Sequence, residues 1–171
     1  MRIELEELER NGGAFAHTYE AEELMLDDEQ ARLTVPPEVR GRVVREGREV
    51  RLRGSIRTRA EVECDRCLKT IEVPVETEFD VAFIPSTDYE RDETHELQAE
   101  DLSLSVFEGE EIDVDELVRE QVLLALPSRV LCREDCKGLC PTCGVNRNTE
   151  TCACEEADVD PRWSALKDFR F

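Results

Sequence analysis

No stretch of this 171-residue chain approaches the roughly 18 consecutive apolar residues needed to cross a bilayer as a helix. The sequence therefore predicts a soluble protein with no membrane partner. Its first residues, Met1-Arg2-Ile3-Glu4-Leu5-Glu6-Glu7, alternate charge with aliphatic side chains and hold no apolar core of a secretory signal. The chain is thus expected in the cytoplasm, where thiols stay reduced. Histidine is nearly absent: only His17 and His95 occur, and neither stands in the H-E-x-x-H or H-x-E pairing that would build a catalytic zinc site. No glycine-rich phosphate loop, nucleophile elbow or kinase signature appears. These absences predict a protein that is not an enzyme and takes no small-molecule substrate. Lysine is scarce too, with three beside nineteen arginines. An acidic, arginine-rich, lysine-poor composition suits a salt-rich cytoplasm, where excess carboxylates keep a surface hydrated.

Negative charge, by contrast, is abundant. The formal net charge is −20, which argues against a protein that coats nucleic acid, because phosphate binding needs clustered cations. The charge is unevenly spread. Residues 36–70 carry ten basic side chains against six acidic ones, while residues 86–120 hold fourteen acids against Arg91 and Arg119. One reading is that arginines fill the solvent faces of strands. The other is that they form a local basic surface.

Cysteine is abundant for a chain of this size, with eight in all. Six crowd one stretch as C-x3-C-x3-C-x2-C-x8-C-x-C: Cys132, Cys136, Cys140, Cys143, Cys152 and Cys154. Cys140-Pro141-Thr142-Cys143-Gly144 has the form of a zinc knuckle, in which two thiolates share a tight turn and the glycine permits left-handed backbone. The remaining pair repeats the device at Cys64-Asp65-Arg66-Cys67. In a reducing compartment this favours metal thiolates over disulfides. Tetrahedral zinc wants four thiolates, usually from two knuckles. Cys140 and Cys143 are the firmest ligands, and one or both of Cys152 and Cys154 would join them. Cys132 or Cys136 would supply the remainder. Six sulfurs exceed one site, so either two are spare or Cys64 and Cys67 complete a second. One Zn2+ is expected, and a second is the alternative. A thiol redox role is the weaker reading, because the Cys64–Cys67 pair is expected between strands. It lacks the helix N-terminus that lowers a thiol pKa in dithiol enzymes.

Along the chain, residues 2–8 and 14–20 read as strands joined by an Asn11-Gly12-Gly13 turn, and Pro36-Pro37 reads as a break. After Val43–Arg45 and a Glu46-Gly47 turn, Val50, Leu52, Gly54, Ile56, Thr58, Ala60 and Val62 occupy every second position. That pattern predicts a long, half-buried strand. A second strand over 71–83 would follow the Cys64–Cys67 turn, giving a ribbon with CxxC at its tip and one basic side. Residues 85–101 read as a mobile acidic loop and 102–107 as a short strand. Asp113 then caps a helix ending before Pro127, with Glu116 completing a capping box. Asp160-Pro161-Arg162-Trp163 suggests a final helix on which Trp163 and Leu166 dock. The expected fold is α+β: mainly antiparallel sheet, barrel-like or open, with one capped helix and a small cysteine-rich module. The divisions are 1–84 (β-rich core with the CxxC ribbon), 85–101 (acidic loop), 102–127 (strand and helix completing the core) and 128–171 (zinc module and last helix).

The order of these features resembles one family. A β segment holding Cys64 and Cys67 precedes an acidic middle and a helix ending Leu124-Ala125-Leu126-Pro127. Cys132 comes next, then Cys136-Lys137-Gly138-Leu139-Cys140-Pro141-Thr142-Cys143-Gly144, Asn146, Asn148, Cys152-Ala153-Cys154 and Asp160-Pro161-Arg162-Trp163. This is similar to the YceD-like family, the large ribosomal RNA subunit accumulation proteins, in its cysteine-containing branch. Arg147 stands where the family often has an apolar residue. The resemblance implies a cytoplasmic, non-enzymatic factor in ribosome assembly, whose partner is large-subunit ribosomal RNA or a basic large-subunit ribosomal protein. If RNA is touched, Arg51, Arg53, Arg57, Arg59 and Arg66 around the CxxC tip are the expected surface. The alternatives are a zinc-ribbon interaction or regulatory module without a ribosomal role and, less favoured, a thiol redox protein.

Overall fold

The computed structural model describes residues 1–5, 12–28, 31–47, 49–89, 104–154 and 162–163. The chain forms two compact units, Met1–Val62 with Thr70–Ser128, and Glu63–Lys69 with Arg129–Phe171. The elements in chain order are β1 (Arg2–Glu4), β2 (Gly13–Thr18), β3 (Ala31–Glu46), β4 (Glu49–Glu63), β5 (Thr70–Pro85), α1 (Ser86–Tyr89), β6 (Leu104–Phe107), β7 (Glu111–Asp113) and α2 (Val114–Ala125). Among the described residues sheet dominates, and α2 is the one helix longer than a single turn. Among the described residues, no helix is long and apolar enough to cross a membrane.

The larger unit is built on an open five-stranded sheet in the order β2-β3-β4-β5-β6, beside a two-stranded sheet of β1 and β7. β2 and β4 each pair antiparallel with β3, and β6 joins β5 in parallel. Period-two alternation explains the long strands. Val39 and Val43 of β3, Val50, Leu52, Ile56 and Ala60 of β4, and Val75 and Phe79 of β5 are all buried in one core. Helix α2 covers that core with Val114, Leu117, Val118 and Val122. Its start lies where the sequence places it: Asp113 Oδ1 accepts from the N–H groups of Asp115 at 2.9 Å and Glu116 at 3.3 Å, satisfying two orphan donors.

The structure corrects the sequence reading in several places. The expected hairpin through Asn11-Gly12-Gly13 does not form, because β1 pairs with β7 (Ile3↔Ile112) and β2 with β3 (Phe15↔Gly41). Gly12 is left-handed (φ 77°), and a Cβ there would lie 2.0 Å from the Val43 carbonyl oxygen, so this glycine serves a close approach to β3. Pro36-Pro37 does not break the chain. β3 runs through both prolines, with register shifts between Leu33 and Val35 and between Val35 and Glu38. Bulges are where a strand tolerates residues lacking an N–H. Within the expected acidic loop, Ser86–Tyr89 forms one helical turn, and the rest of the loop from residue 90 lies outside the described residues. So does the expected last helix apart from Arg162 and Trp163, and Trp163 is exposed where docking was expected.

Candidate metal centre

The smaller unit begins with the turn that follows β4. The Cys64 N–H donates to Lys69 O at 2.9 Å, and the Leu68 N–H to Cys64 O at 2.9 Å. Leu68 is left-handed at φ 57°, which closes the turn tightly enough to set both sulfurs on one side. Asp65 ties this turn to the segment entering the cysteine-rich stretch. Its N–H donates to Val130 O at 2.9 Å, and its Oδ2 accepts from the Val130 N–H at 2.6 Å. Arg66 does the same for the next knuckle: Nη1 donates to Cys136 O at 2.6 Å, and its carbonyl accepts from the Leu139 N–H at 2.9 Å. Gly138, left-handed at φ 72°, passes so close that a Cβ would stand 2.9 Å from Arg66 O.

These ties bring the eight sulfurs into two groups of four, each with all ligand atoms within 4.8 Å of one another. Cys64, Cys67, Cys132 and Cys136 form the first, and Cys140, Cys143, Cys152 and Cys154 form the second. Of the alternatives left open by spacing, none of the six C-terminal sulfurs is spare. Cys132 and Cys136 both join the CxxC turn, and the knuckle at Cys140 takes both Cys152 and Cys154. All eight thiols are free of disulfides. In the first group the Sγ atoms of Cys64 and Cys136 are 3.9 Å apart and those of Cys67 and Cys132 are 3.6 Å apart. A tetrahedral ion with metal–sulfur distances of about 2.3 Å needs sulfur–sulfur edges of roughly 3.8 Å, so the donor set fits such an ion.

Hydrogen-bond donors converge on these sulfurs. The Cys132 N–H donates to Cys64 Sγ at 3.4 Å, and Asn148 Nδ2 donates to Cys136 Sγ at 3.3 Å. The same Asn148 is fixed by its Oδ1, which accepts from the Lys137 N–H and Arg133 Nη2, both at 2.9 Å. Burial pushes the Cys64 thiol up, but the N–H groups of Cys132, Arg66 and Cys67 outweigh it and bring the pKa down from 9.0 to about 6. The N–H groups of Cys143 and Thr142 bring Cys140 to about 6 as well. The last proton in each group is held harder. Burial, then the bond to Cys67, pushes Cys132 up to about 12. A bond to Cys143, then burial, does the same to Cys154. Cys64 and Cys136 in the first group and Cys140 in the second are shifted down while Cys132 and Cys154 are shifted up, and a bound dication would offset that mutual repulsion. Arg147 is hydrogen-bonded to Cys152, and this, with the charges of Cys140 and Cys152, raises its pKa. This guanidinium thus places a cation against the second group.

The arginines expected to meet RNA are placed differently. On the outer face, Arg51 makes a bidentate pair with Asp80 (Nε–Oδ1 2.6 Å, Nη2–Oδ2 3.2 Å). Arg53 reaches the same carboxylate at 2.9 Å, Arg59 reaches Glu72 at 2.7 Å, and Arg57 lies 4.0 Å from Glu76. The bond to Arg51 holds Asp80 below the usual carboxylate range, and the bond to Arg59 does the same for Glu72. Arg66 is engaged within the cysteine unit. On this face Arg40, 3.6 Å from Glu38, and Arg42 stand outside the ladder. Sequence counting missed the ladder because the window 36–70 stops just short of its carboxylates. Counting both ways from the Cys64–Cys67 turn sets Glu72, Glu76 and Asp80 beside these arginines. It also missed Asp65, Gly138 and Asn148 as supports of the sulfur groups, although Asn146 and Asn148 belong to the motif that carries the resemblance.

Comparison with known proteins follows the same motif. Residues 52–170 match the family of the large ribosomal RNA subunit accumulation protein YceD. An uncharacterized protein of Mycobacterium tuberculosis is 35% identical over 144 residues, covering 84% of this chain and 65% of its own. The chloroplastic large ribosomal RNA subunit accumulation protein YCED homolog 1 of Arabidopsis thaliana is 29% identical over 156 residues, 79% of this chain and 49% of its own. The uncharacterized YlbN of Bacillus subtilis is 26% identical over 167 residues, 96% and 91% of the two chains. The chain thus spans just under two thirds of the mycobacterial relative and about half of the plant one. No solved structure matches. With the family's region covering most of the sequence and both cysteine groups inside it, the chain belongs to the YceD family.

Proposed function

We propose that this chain is a non-enzymatic cytoplasmic factor that supports accumulation of large-subunit ribosomal RNA, stapled by two structural zinc ions and acting through a basic protein partner. Family membership supports the ribosomal role. Four-thiolate sites select zinc or iron, and isolated tetrahedral sites of this kind in knuckles are usually zinc. All four positions in each group are filled by sulfur, which leaves none open for a substrate and suits a structural ion. Cys64, Cys67, Cys132 and Cys136 would hold one ion, and Cys140, Cys143, Cys152 and Cys154 the other. The observation that carries the choice of partner is the ion-pair ladder. Four arginines that would neutralise phosphates already stand against three carboxylates, Asp80, Glu76 and Glu72, which leaves little local positive charge to set against the net −20.

The decisive experiment depletes the protein in cells and follows mature and precursor large-subunit ribosomal RNA, with small-subunit RNA as internal control. A selective fall of the large-subunit species is expected. Complementation with Arg51, Arg53, Arg57 and Arg59 all changed to Gln separates the two partner classes. Restored RNA levels are expected, and failure to restore them with a folded variant would return the contact to RNA. Unchanged ratios on depletion would leave a zinc-ribbon interaction module without a ribosomal role.

A further inference from the structure

We infer that the cleft between residues 20–28 and β3 is a docking site for a basic polypeptide segment carrying an aliphatic anchor, a deepening that rests on the protein-partner reading above. The cleft encloses about 820 Å³ and lies wholly within the larger unit. Its apolar wall is formed by Leu24, Leu26 and Leu33 together with Met25 and Val35. Met25 is 68% exposed and Val35 42% exposed, so two large aliphatic side chains face water in one concave place. Both line the same concavity, and an apolar wall with polar groups at its rim is the usual form of a binding cleft.

The cleft is shaped by specific devices. Val35 sits between the two register shifts of β3, and bulges re-aim side chains in this way. Opposite, Glu22 is held in left-handed backbone at φ 68°, a conformation that costs a non-glycine residue and persists only where its surroundings impose it. The segment is tied down on either side of Glu22. The Tyr19 N–H donates to Pro37 O at 3.0 Å, Tyr19 Oη donates to Asp115 at 2.7 Å, and Arg119 Nε donates to Met25 O at 3.1 Å. The wall is therefore preformed, which lowers the ordering cost of binding.

Charge selects the occupant. Among the described residues, Glu20, Glu22, Asp28 and Glu61 line the cleft with one cation, Arg32. That rim repels phosphodiesters and attracts lysine or arginine side chains flanking an aliphatic anchor. Among the described residues, no histidine or cysteine lines it, and binding is what it offers.

The test uses the full chain and a fluorescent synthetic peptide of alternating arginine and leucine, with binding read by anisotropy. Two variants alter the cleft, Glu20→Lys with Glu61→Lys on the rim and Met25→Ser with Val35→Thr on the wall. The control, Glu108→Lys with Glu110→Lys, makes the same charge change elsewhere. Each cleft variant is expected to weaken binding roughly tenfold at unchanged melting temperature, and the control less than about twofold. Absence of peptide binding, equal losses in the control, an unaffected wall variant, or displacement of the peptide by a single-stranded RNA oligonucleotide would each overturn the proposal. In depleted cells, the cleft variants should fail to restore large-subunit RNA. Full restoration would refute the cleft and leave the assembly role standing, whereas unchanged RNA on depletion would refute that role while the peptide still judges the cleft.

Discussion

Asn148 shows how much one side chain settles around the sulfurs. Its amide donates to Cys136 Sγ and to Asn146 Oδ1, and its carbonyl oxygen gathers the Lys137 N–H and Arg133. A neutral donor beside a thiolate lowers the cost of its charge, and such outer partners typically account for roughly 10–100-fold in metal affinity. Asn148→Ala should release metal to a chromophoric chelator that much more readily. Asn148→Asp should be at least as harmful, since it removes the donor and brings a carboxylate to the sulfurs. Chelator competition giving the wild-type midpoint for both would reduce Asn148 to a loop residue. The cysteines themselves were legible from spacing, because two thiols share a turn only at short separation. Which knuckles meet was not legible. Cys64 and Cys136 are 72 positions apart, and that meeting is decided by contacts such as Asp65 with Val130 and Arg66 with Cys136, which no periodicity reports.

Strands were readable wherever one face is buried. The alternation from Val50 to Val62 predicts β4 within a residue at either end, since an inward Leu52 or Ile56 every second position leaves no other conformation that buries them together. Pairing was less readable. Ile3 alternates like any strand residue, and nothing in residues 2–4 says that the partner is β7 rather than the segment after Gly12. Prolines misled for a related reason, because their missing N–H forbids a regular ladder but not a bulged one. Helix α2 was the most legible element, its start being written in a side chain. Replacing Asp113 by Ala leaves the N–H groups of Asp115 and Glu116 without that acceptor and should cost about 1 kcal/mol. The melting temperature should fall by a few degrees on this scale, while Asp113→Asn should retain most of the stability. If the Ala variant melts with the wild type, water caps that helix equally well.

The two units differ in what holds them. In the sheet unit the core is hydrocarbon: Val39, Leu52, Ile56, Val75, Ile112 and their neighbours. In the other unit, among the described residues, the buried apolar side chains are Cys64, Cys67, Cys136 and Cys140, so its interior consists of the metal-binding groups themselves. A segment of that size cannot fold on so little buried apolar surface, whereas apparent zinc binding in small modules contributes roughly 10–16 kcal/mol at neutral pH. The chain as isolated should therefore carry two zinc ions, one for each of its sulfur groups, and be colourless, where iron would absorb in the visible. The two ions should not leave together. Cys143 is exposed and Cys152 and Cys154 half-buried, while three of the four sulfurs in the first group are buried, so a chelator should strip the second group first. Amide signals of residues 140–154 should collapse at that stage, and those of 64–69 and 129–136 only with the second ion. The amides of β3 and β4 should stay protected throughout, because their core contains no sulfur ligand. Loss of the sheet signals in step with the metal would mean that zinc supports the whole fold, and intact signals in metal-free protein would mean that the sulfur groups need no ion.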